Sequence, residues 1–235
     1  MDYLSIGGYH FFAEDVGVGK VIFSTAENDF NVYKNTETGK SNLEKIKKLF
    51  EIDDVGFLNQ YHSDKVNIFN GSIEHGDAII TNKKRTAVGV FTADCVPVLI
   101  FDIDKKVIAA VHSGWRGTYS QIVKNTIEKM IKEYGSSKDS FKIFIGPHIR
   151  DCCYEVGAEV VNKFNNDETY NYEKIFTDSK LSMEECIIEQ LKSINIDENN
   201  IKSLGYCTYC SIKPKFYSYR RGETDKRLFS FVYIK

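Results

Sequence analysis

Long apolar runs are missing from this 235-residue sequence: nothing approaches the ~20 residues needed to span a bilayer. The opening Met1-Asp2-Tyr3-Leu4 lacks the basic start and apolar run of a secretory signal. Both absences point to a cytoplasmic chain with no membrane partner. Proline is scarce at three residues and no Ser/Gly-rich tract occurs, so a flexible linker is disfavoured and one domain over residues 1–235 is expected. Cationic excess is also lacking. Lysine plus arginine (31) nearly balances aspartate plus glutamate (33), which leaves nothing to grip a phosphate backbone and argues against nucleic acid as a partner. The one basic cluster, Lys83-Lys84-Arg85, reads as a solvated turn. In a reducing compartment the six cysteines read as ligands, nucleophiles or small core residues rather than disulfides.

Two windows carry helical periodicity. Over residues 118–134, Tyr119, Ile122, Val123, Ile127, Met130, Ile131 and Tyr134 recur at three- and four-residue steps, and Gly135 supplies a stop. Over 182–194, Met183, Ile187, Leu191 and Ile194 do the same behind a Ser182/Glu185 capping box. A weaker helix is expected over 42–50. Branched and aromatic runs at 55–58, 78–81, 87–92, 98–101, 107–111, 141–145 and 229–233 read as strands, several of them continuously apolar, as strands covered on both faces are. Segments 165–180 and 195–200 read as polar loops. The fold class expected is α/β (α+β), a layered mixed β-sheet covered by helices.

Reactive side chains cluster just past the expected strands. His62 lies in Asn59-Gln60-Tyr61-His62-Ser63, Cys95 in Thr92-Ala93-Asp94-Cys95-Val96-Pro97, and His112 in His112-Ser113-Gly114-Trp115-Arg116-Gly117. Ligand sites in sheet proteins favour such strand ends. Singly, each has a plain structural reading: a hydrogen-bonded histidine, or a packed cysteine. The separations match no short metal motif. The third segment adds glycines and a guanidinium at an expected helix start, an arrangement suited to an anion.

The segments Thr92-Ala93-Asp94-Cys95-Val96-Pro97-Val98 and Ala110-Val111-His112-Ser113-Gly114-Trp115-Arg116-Gly117 resemble the signature of the YfiH-like laccase-domain family. Its members are variously called polyphenol oxidases, purine nucleoside phosphorylases or peptidoglycan editing factors. Gln60-Tyr61-His62-Ser63, Gly76-Asp77-Ala78, Ile145-Gly146-Pro147, Cys152-Cys153-Tyr154-Glu155-Val156-Gly157, Cys207-Thr208-Tyr209-Cys210 and Phe216-Tyr217-Ser218-Tyr219-Arg220-Arg221 match in the family's order, over roughly residues 55–235. The first fifty residues fit poorly: the family's Thr-Arg-Gly-Gly and Leu-Asn-Leu stretches are replaced by Phe23-Ser24-Thr25-Ala26 and Asn31-Val32-Tyr33-Lys34. Near the other end, Asp225-Lys226-Arg227 replaces Thr-Gly-Arg.

The resemblance implies a fold like the catalytic domain of cytotoxic necrotising factor. It also implies a metal site of His62, Cys95 and His112, which double as the catalytic centre around one zinc ion. Three protein ligands leave a position open, and zinc can lower the pKa of a bound water to about 7. The implied reactions are phosphorolysis of adenosine, inosine, guanosine and methylthioadenosine, and deamination of adenosine. The implied partners are thus a purine nucleoside and phosphate. Arg116 and Arg221 are the candidate substrate-binding residues, Arg221 as part of an Arg220-Arg221 pair that could hold an anionic group of the substrate, and Asp94 is a candidate general base or histidine partner. Plain ion pairs are the alternative for all three. Copper can occupy the same ligands in vitro, but a multicopper oxidase needs a histidine-rich trinuclear cluster. After His62 and His112, only His10, His75 and His148 remain. A metal-free cysteine hydrolase or amidase, with Cys95 as nucleophile and a histidine as base, would suit peptidoglycan-precursor editing. A non-catalytic metal-binding scaffold is a third reading.

Cys207-x-x-Cys210 has no second such pair, and adjacent Cys152-Cys153 has unsuitable spacing, so these read as structural thiols. His148 also reads as structural. Tyr206, Tyr209 and Tyr217 are candidates for stacking on a purine, with core packing as the alternative.

Overall fold

The continuously apolar runs are strands buried on both faces, and they are shared between two sheets. The computed structural model describes residues 1–235. The first part contains β1 (Asp2–Ile6), β2 (Tyr9–Asp15), β3 (Gly19–Ser24), α1 (Glu37–Leu49), β4 (Asp54–Gly56) and β5 (Val66–Ile68). The central part contains β6 (Ala78–Thr81), β7 (Thr86–Thr92), β8 (Val96–Asp102), β9 (Val107–Ser113), α2 (Trp115–Tyr119) and α3 (Ile122–Tyr134). Then come β10 (Phe141–Ile145), α4 (Ala158–Asn165), α5 (Tyr172–Ile175), the hairpin β11 (Phe176–Thr177) and β12 (Lys180–Leu181), α6 (Met183–Ser193), β13 (Ile201–Ser203) and β14 (Leu228–Ile234).

One six-stranded sheet has the order β1-β2-β3-β14-β7-β4, the other β13-β10-β8-β9-β6-β5. Most pairs are antiparallel, and β4–β7, β5–β6 and β10–β13 are parallel. The expected helix-covered mixed α+β layering is therefore present with two stacked sheets. Strand alternation explains the stacking. On β14, Leu228, Val232 and Ile234 join Leu99 and Phe101 of β8 and Ile108 and Ala110 of β9 in a seam between the sheets. Phe229, Phe231 and Tyr233 face the other way, against Leu43 and Ile46 of α1. Val98, Ile100, Ala109 and Val111 of the second sheet pack against α3 and α6 through Ile127, Met130, Ile187 and Leu191.

The structure departs from the sequence reading at four places. The helix expected over 118–134 is two helices, separated at Gln121, whose φ is 59°. The Thr118 carbonyl is drawn into tertiary bonds, accepting from Tyr170 Oη at 3.0 Å and Gln190 Nε2 at 2.7 Å. The expected loop 165–180 holds α5 and the β11–β12 hairpin, because Ile175, Phe176 and Leu181 anchor it in the α3/α6 core. Strands β1 to β3 had no counterpart in the sequence reading. β1 and β2 carry charged or half-exposed positions that break the apolar pattern. The helix expected over 42–50 starts earlier, at Glu37, where Thr36 caps it by accepting from the Gly39 amide. Ser182 Oγ likewise accepts from the Glu185 amide at 3.2 Å, as the capping pattern predicts.

The segment Ala93-Asp94-Cys95 carries the chain from β7 in one sheet to β8 in the other. No helix is long and apolar enough to cross a membrane. Phe101 lies in the inter-sheet seam with no exposed surface. Phe101→Ala is expected to cost about 3–5 kcal/mol in urea unfolding; a loss below about 1 kcal/mol would contradict the seam as a shared core.

Candidate metal centre

A carboxylate without solvent contact must use its lone pairs on donors, and Asp77, just ahead of β6, does so. Its Oδ2 accepts from the amides of Tyr61 (3.3 Å) and Ser63 (2.7 Å) and from Ser63 Oγ (2.6 Å). Its Oδ1 accepts from the His62 amide (3.0 Å) and from His112 Nδ1 (2.8 Å). Burial alone would raise its pKa, but His112 and Ser63 outweigh burial and hold it near about 2. One side chain therefore folds the 61–63 turn, in which His62 has φ 65°, and fixes the His112 ring. With Nδ1–H committed to Asp77, Nε2 of His112 is the free ligand atom. Gln60 pins the same turn to β7, its amide donating to the Phe91 carbonyl and accepting from the Phe91 amide, both at 2.8 Å.

Cys95 arrives from the sheet crossing. Its predecessor Asp94 has φ 89°, a strained conformation for a non-glycine residue. Three donors hold it: Thr208 Oγ1 (2.7 Å) on Oδ1, and Ser218 Oγ (3.0 Å) and the Arg220 amide (2.7 Å) on Oδ2. Cys95 Sγ lies 3.7 Å from His62 Nε2. The His62 and His112 ring centroids are 4.9 Å apart. One ligand atom from each of His62, Cys95 and His112 falls within 4.8 Å of the other two. Burial opposes ionisation of Cys95, yet His112 and His62 bring the thiol down to about 6. Burial likewise opposes charge on His112, while Cys95 and Asp77 raise it to about 9. Gly114 has no room for a side chain: a Cβ there would lie 2.8 Å from His62 Cδ2 and 3.0 Å from Cys95 Sγ.

The trio opens into a cavity of about 670 Å³. Lys34, Arg116, Arg220 and Arg227 line it, against one carboxylate, Asp94. Trp115, Tyr154 and Tyr219 add aromatic surface. The Arg116 guanidinium lies over the Trp115 ring, 4.6 Å from its centroid, and that of Arg227 over Tyr33 at 4.9 Å. Burial lowers the pKa of Lys34, which donates to the Leu58 carbonyl at 3.1 Å and to Asn59 Oδ1.

The profile of the multi-copper polyphenol oxidoreductase laccase family matches residues 9–235. The chain belongs to this family. A relative named purine nucleoside phosphorylase, from Clostridium acetobutylicum, is 49% identical over 216 residues, covering 91% of each chain. A protein named adenosine deaminase RL5, from an unknown prokaryotic organism, is 28% identical over 203 residues, covering 79% of this chain and 77% of its own. The crystal structure of a hypothetical protein YfiH from Bacillus licheniformis superposes with a TM-score of 0.85 at 24% identity, covering 92% of this chain and 93% of that one.

Within this laccase-family fold, the residues singled out from the sequence fall into two groups. His62, Cys95, His112, Asp94 and Arg116 come together at one cavity. Arg221 does not join them. Its guanidinium donates to the carbonyls of Thr208 (3.0 Å), Tyr209 (2.8 Å) and Phe216 and pairs with Glu223 at 2.6 Å, while its neighbour Arg220 lines the cavity. The partner carboxylate of a histidine is Asp77, whereas Asp94 bonds to Thr208, Ser218 and Arg220. Asp77 was legible only as part of a motif, although two candidate histidine ligands call for an orienting acceptor nearby. Tyr206, Tyr209 and Tyr217 are absent from the cavity wall; Tyr217 is fully buried and donates to Asp29. His148 is buried, with Nδ1 2.9 Å from the Gly146 carbonyl and Nε2 3.5 Å from Glu184, the structural setting expected of it. The poorly matching N-terminal region supplies Tyr33, Lys34 and Asn35 to the wall.

Asp77→Asn keeps the size of the side chain but turns one acceptor into a donor facing backbone amides or His112. Metal affinity at the trio is expected to fall about 10–100-fold, measured by chelator competition; unchanged affinity would show that Asp77 does not set the site.

Proposed function

We propose that this chain is a zinc-dependent purine nucleoside enzyme. It phosphorolyses adenosine, inosine, guanosine and methylthioadenosine, and deaminates adenosine. The observation that carries this reading is the convergence of two imidazoles and one thiol at a cavity with a cationic wall. Relatives named purine nucleoside phosphorylase and adenosine deaminase support it. Three protein donors beside an open cavity are the donor pattern of a catalytic zinc, and a zinc ion there supplies Lewis acidity at neutral pH.

The chain's own residues do the rest. Asp77 holds the His112 tautomer, and Asp94 positions Cys95 in preference to transferring protons. Arg116, stacked on Trp115, offers a preset guanidinium for phosphate, with Arg220 and Arg227 alongside. Tyr154 and Tyr219 offer faces for a purine ring. Phosphorolysis replaces the bond between ribose C1′ and the base nitrogen by a bond to a phosphate oxygen, and the base leaves with a proton. Deamination replaces the C6 amine by oxygen from water and releases ammonia. The cavity presents groups for each reactant. Copper suits the same three donors, but five histidines, one of them His148 in its buried setting, do not furnish a trinuclear cluster as well.

A second reading, a cysteine amidase, is favoured by one feature: Asp77, His112 and Cys95 stand in the order of an orienter, a base and a nucleophile. Protein purified without chelators or affinity metal separates the two. Phosphate-dependent release of ribose 1-phosphate, lost on chelation and in Cys95→Ala, is expected, with phosphate KM raised about 10–100-fold in Arg116→Ala. Full nucleoside turnover by stripped protein overturns the metal-dependent reading. Amide hydrolysis by stripped protein, abolished by Cys95 alkylation, puts the amidase in its place.

A further inference from the structure

Five thiols outside the cavity remain unused by the proposed chemistry, and four of them, all but the buried Cys186, lie together. Cys152 and Cys153 follow β10, and Cys207 and Cys210 lie in the loop after β13. Their spacing in sequence, one adjacent pair and one Cys-x-x-Cys pair, argued against a metal site. Tertiary structure removes the objection. The two loops run side by side, joined by a parallel bridge between His148 and Cys207 and by the Thr208 amide donating to the His148 carbonyl at 2.9 Å. Each then turns back on itself: the Cys153 amide donates to the Arg150 carbonyl at 2.8 Å and the Ser211 amide to the Cys207 carbonyl at 3.0 Å. The result is four Sγ atoms all within 4.8 Å of one another.

The distances favour an ion over a covalent link. Cys152 Sγ and Cys210 Sγ are 3.8 Å apart, far beyond the about 2.05 Å of a disulfide. Four sulfurs bound to one tetrahedral zinc at about 2.3 Å are themselves about 3.8 Å apart. A multi-iron cluster would need its ligands spread more widely. Two guanidinium groups brace the loop of Cys207 and Cys210: Arg150 donates to the Gly205 carbonyl at 2.8 Å, and Arg221 to those of Thr208 and Tyr209. Their charge complements the net negative charge of a four-thiolate zinc unit.

We propose that Cys152, Cys153, Cys207 and Cys210 form a second metal site, a closed four-thiolate site for one structural zinc ion. All four positions are filled by protein, so the ion touches no substrate. It fastens the loop whose Thr208 hydroxyl holds Asp94 beside Cys95, and the turn that leads into Tyr154 on the cavity wall. This arrangement also gives Arg221 a role away from the cavity, bracing the metal-bearing loop.

The test is metal counting on reduced protein, supplied with zinc chloride and freed of loosely held ion by gel filtration. Wild type is expected to hold two zinc ions per chain. Cys95→Ala is expected to hold one, because the four-thiolate site is intact, and its cobalt(II) form should show thiolate-to-metal charge transfer. Cys207→Ser combined with Cys210→Ser is expected to hold one, at the other centre. A folded Cys95→Ala protein with no bound zinc overturns the proposal, whether or not the double variant folds. So does a Cys152–Cys210 disulfide in wild-type protein carrying a single zinc. Neither result depends on nucleoside turnover: if the proposed function fails and the His62, Cys95 and His112 centre holds no zinc, wild type and Cys95→Ala each still hold one ion, at the four thiolates.

Discussion

Removing an ionised carboxylate from water costs several kcal/mol unless its lone pairs are matched by donors, and the fold around Asp77 meets that condition with five hydrogen bonds. The donors are the turn that carries His62 and the ring of His112, two elements distant in sequence. One charge thus couples the conformation of a loop to the orientation of a strand residue. It also explains why His62 stands in a left-handed conformation: the turn is held open by the carboxylate it wraps. Loss of that charge would release both imidazoles together.

Cys95 reaches the same point by a different route. It sits where the chain leaves one sheet for the other, in a turn whose strained Asp94 is held by side chains and backbone from the C-terminal third of the chain. The thiol is therefore placed by the packing of two sheets and the imidazoles by one buried carboxylate. Gly114 lets the three approach, since any side chain there would collide with two of them. The cavity they share is walled by cations from segments as far apart as Lys34 and Arg227, so its electrostatic character belongs to the whole fold.

The grouping of His62, Cys95 and His112 was legible through the family resemblance that their short segments carry, not through their spacing, and apolar runs marked β6 to β10 as strands. The partition of those strands between two sheets was not legible, since a strand buried on both faces reads the same in either. Long-range hydrogen bonds were hidden for the same reason: nothing local tells that Thr118 gives its carbonyl to Gln190 and so ends a helix, or that Asp77 and not Asp94 serves a histidine. Between Arg220 and Arg221, the direction of a single turn decides which guanidinium meets the cavity. The four other clustered cysteines were set aside on spacing, a criterion for ligands on one loop that fails when two loops meet.

Anomalous diffraction at the zinc edge, from crystals grown without chelator, tests the shared centre most directly. Assignment of the trio as a metal centre requires a peak at bonding distance, about 2.0–2.3 Å, from His62 Nε2, His112 Nε2 and Cys95 Sγ, with His112 Nδ1 still on Asp77. Zinc-loaded crystals with no peak among these three atoms, or with His112 turned away from Asp77, would contradict it.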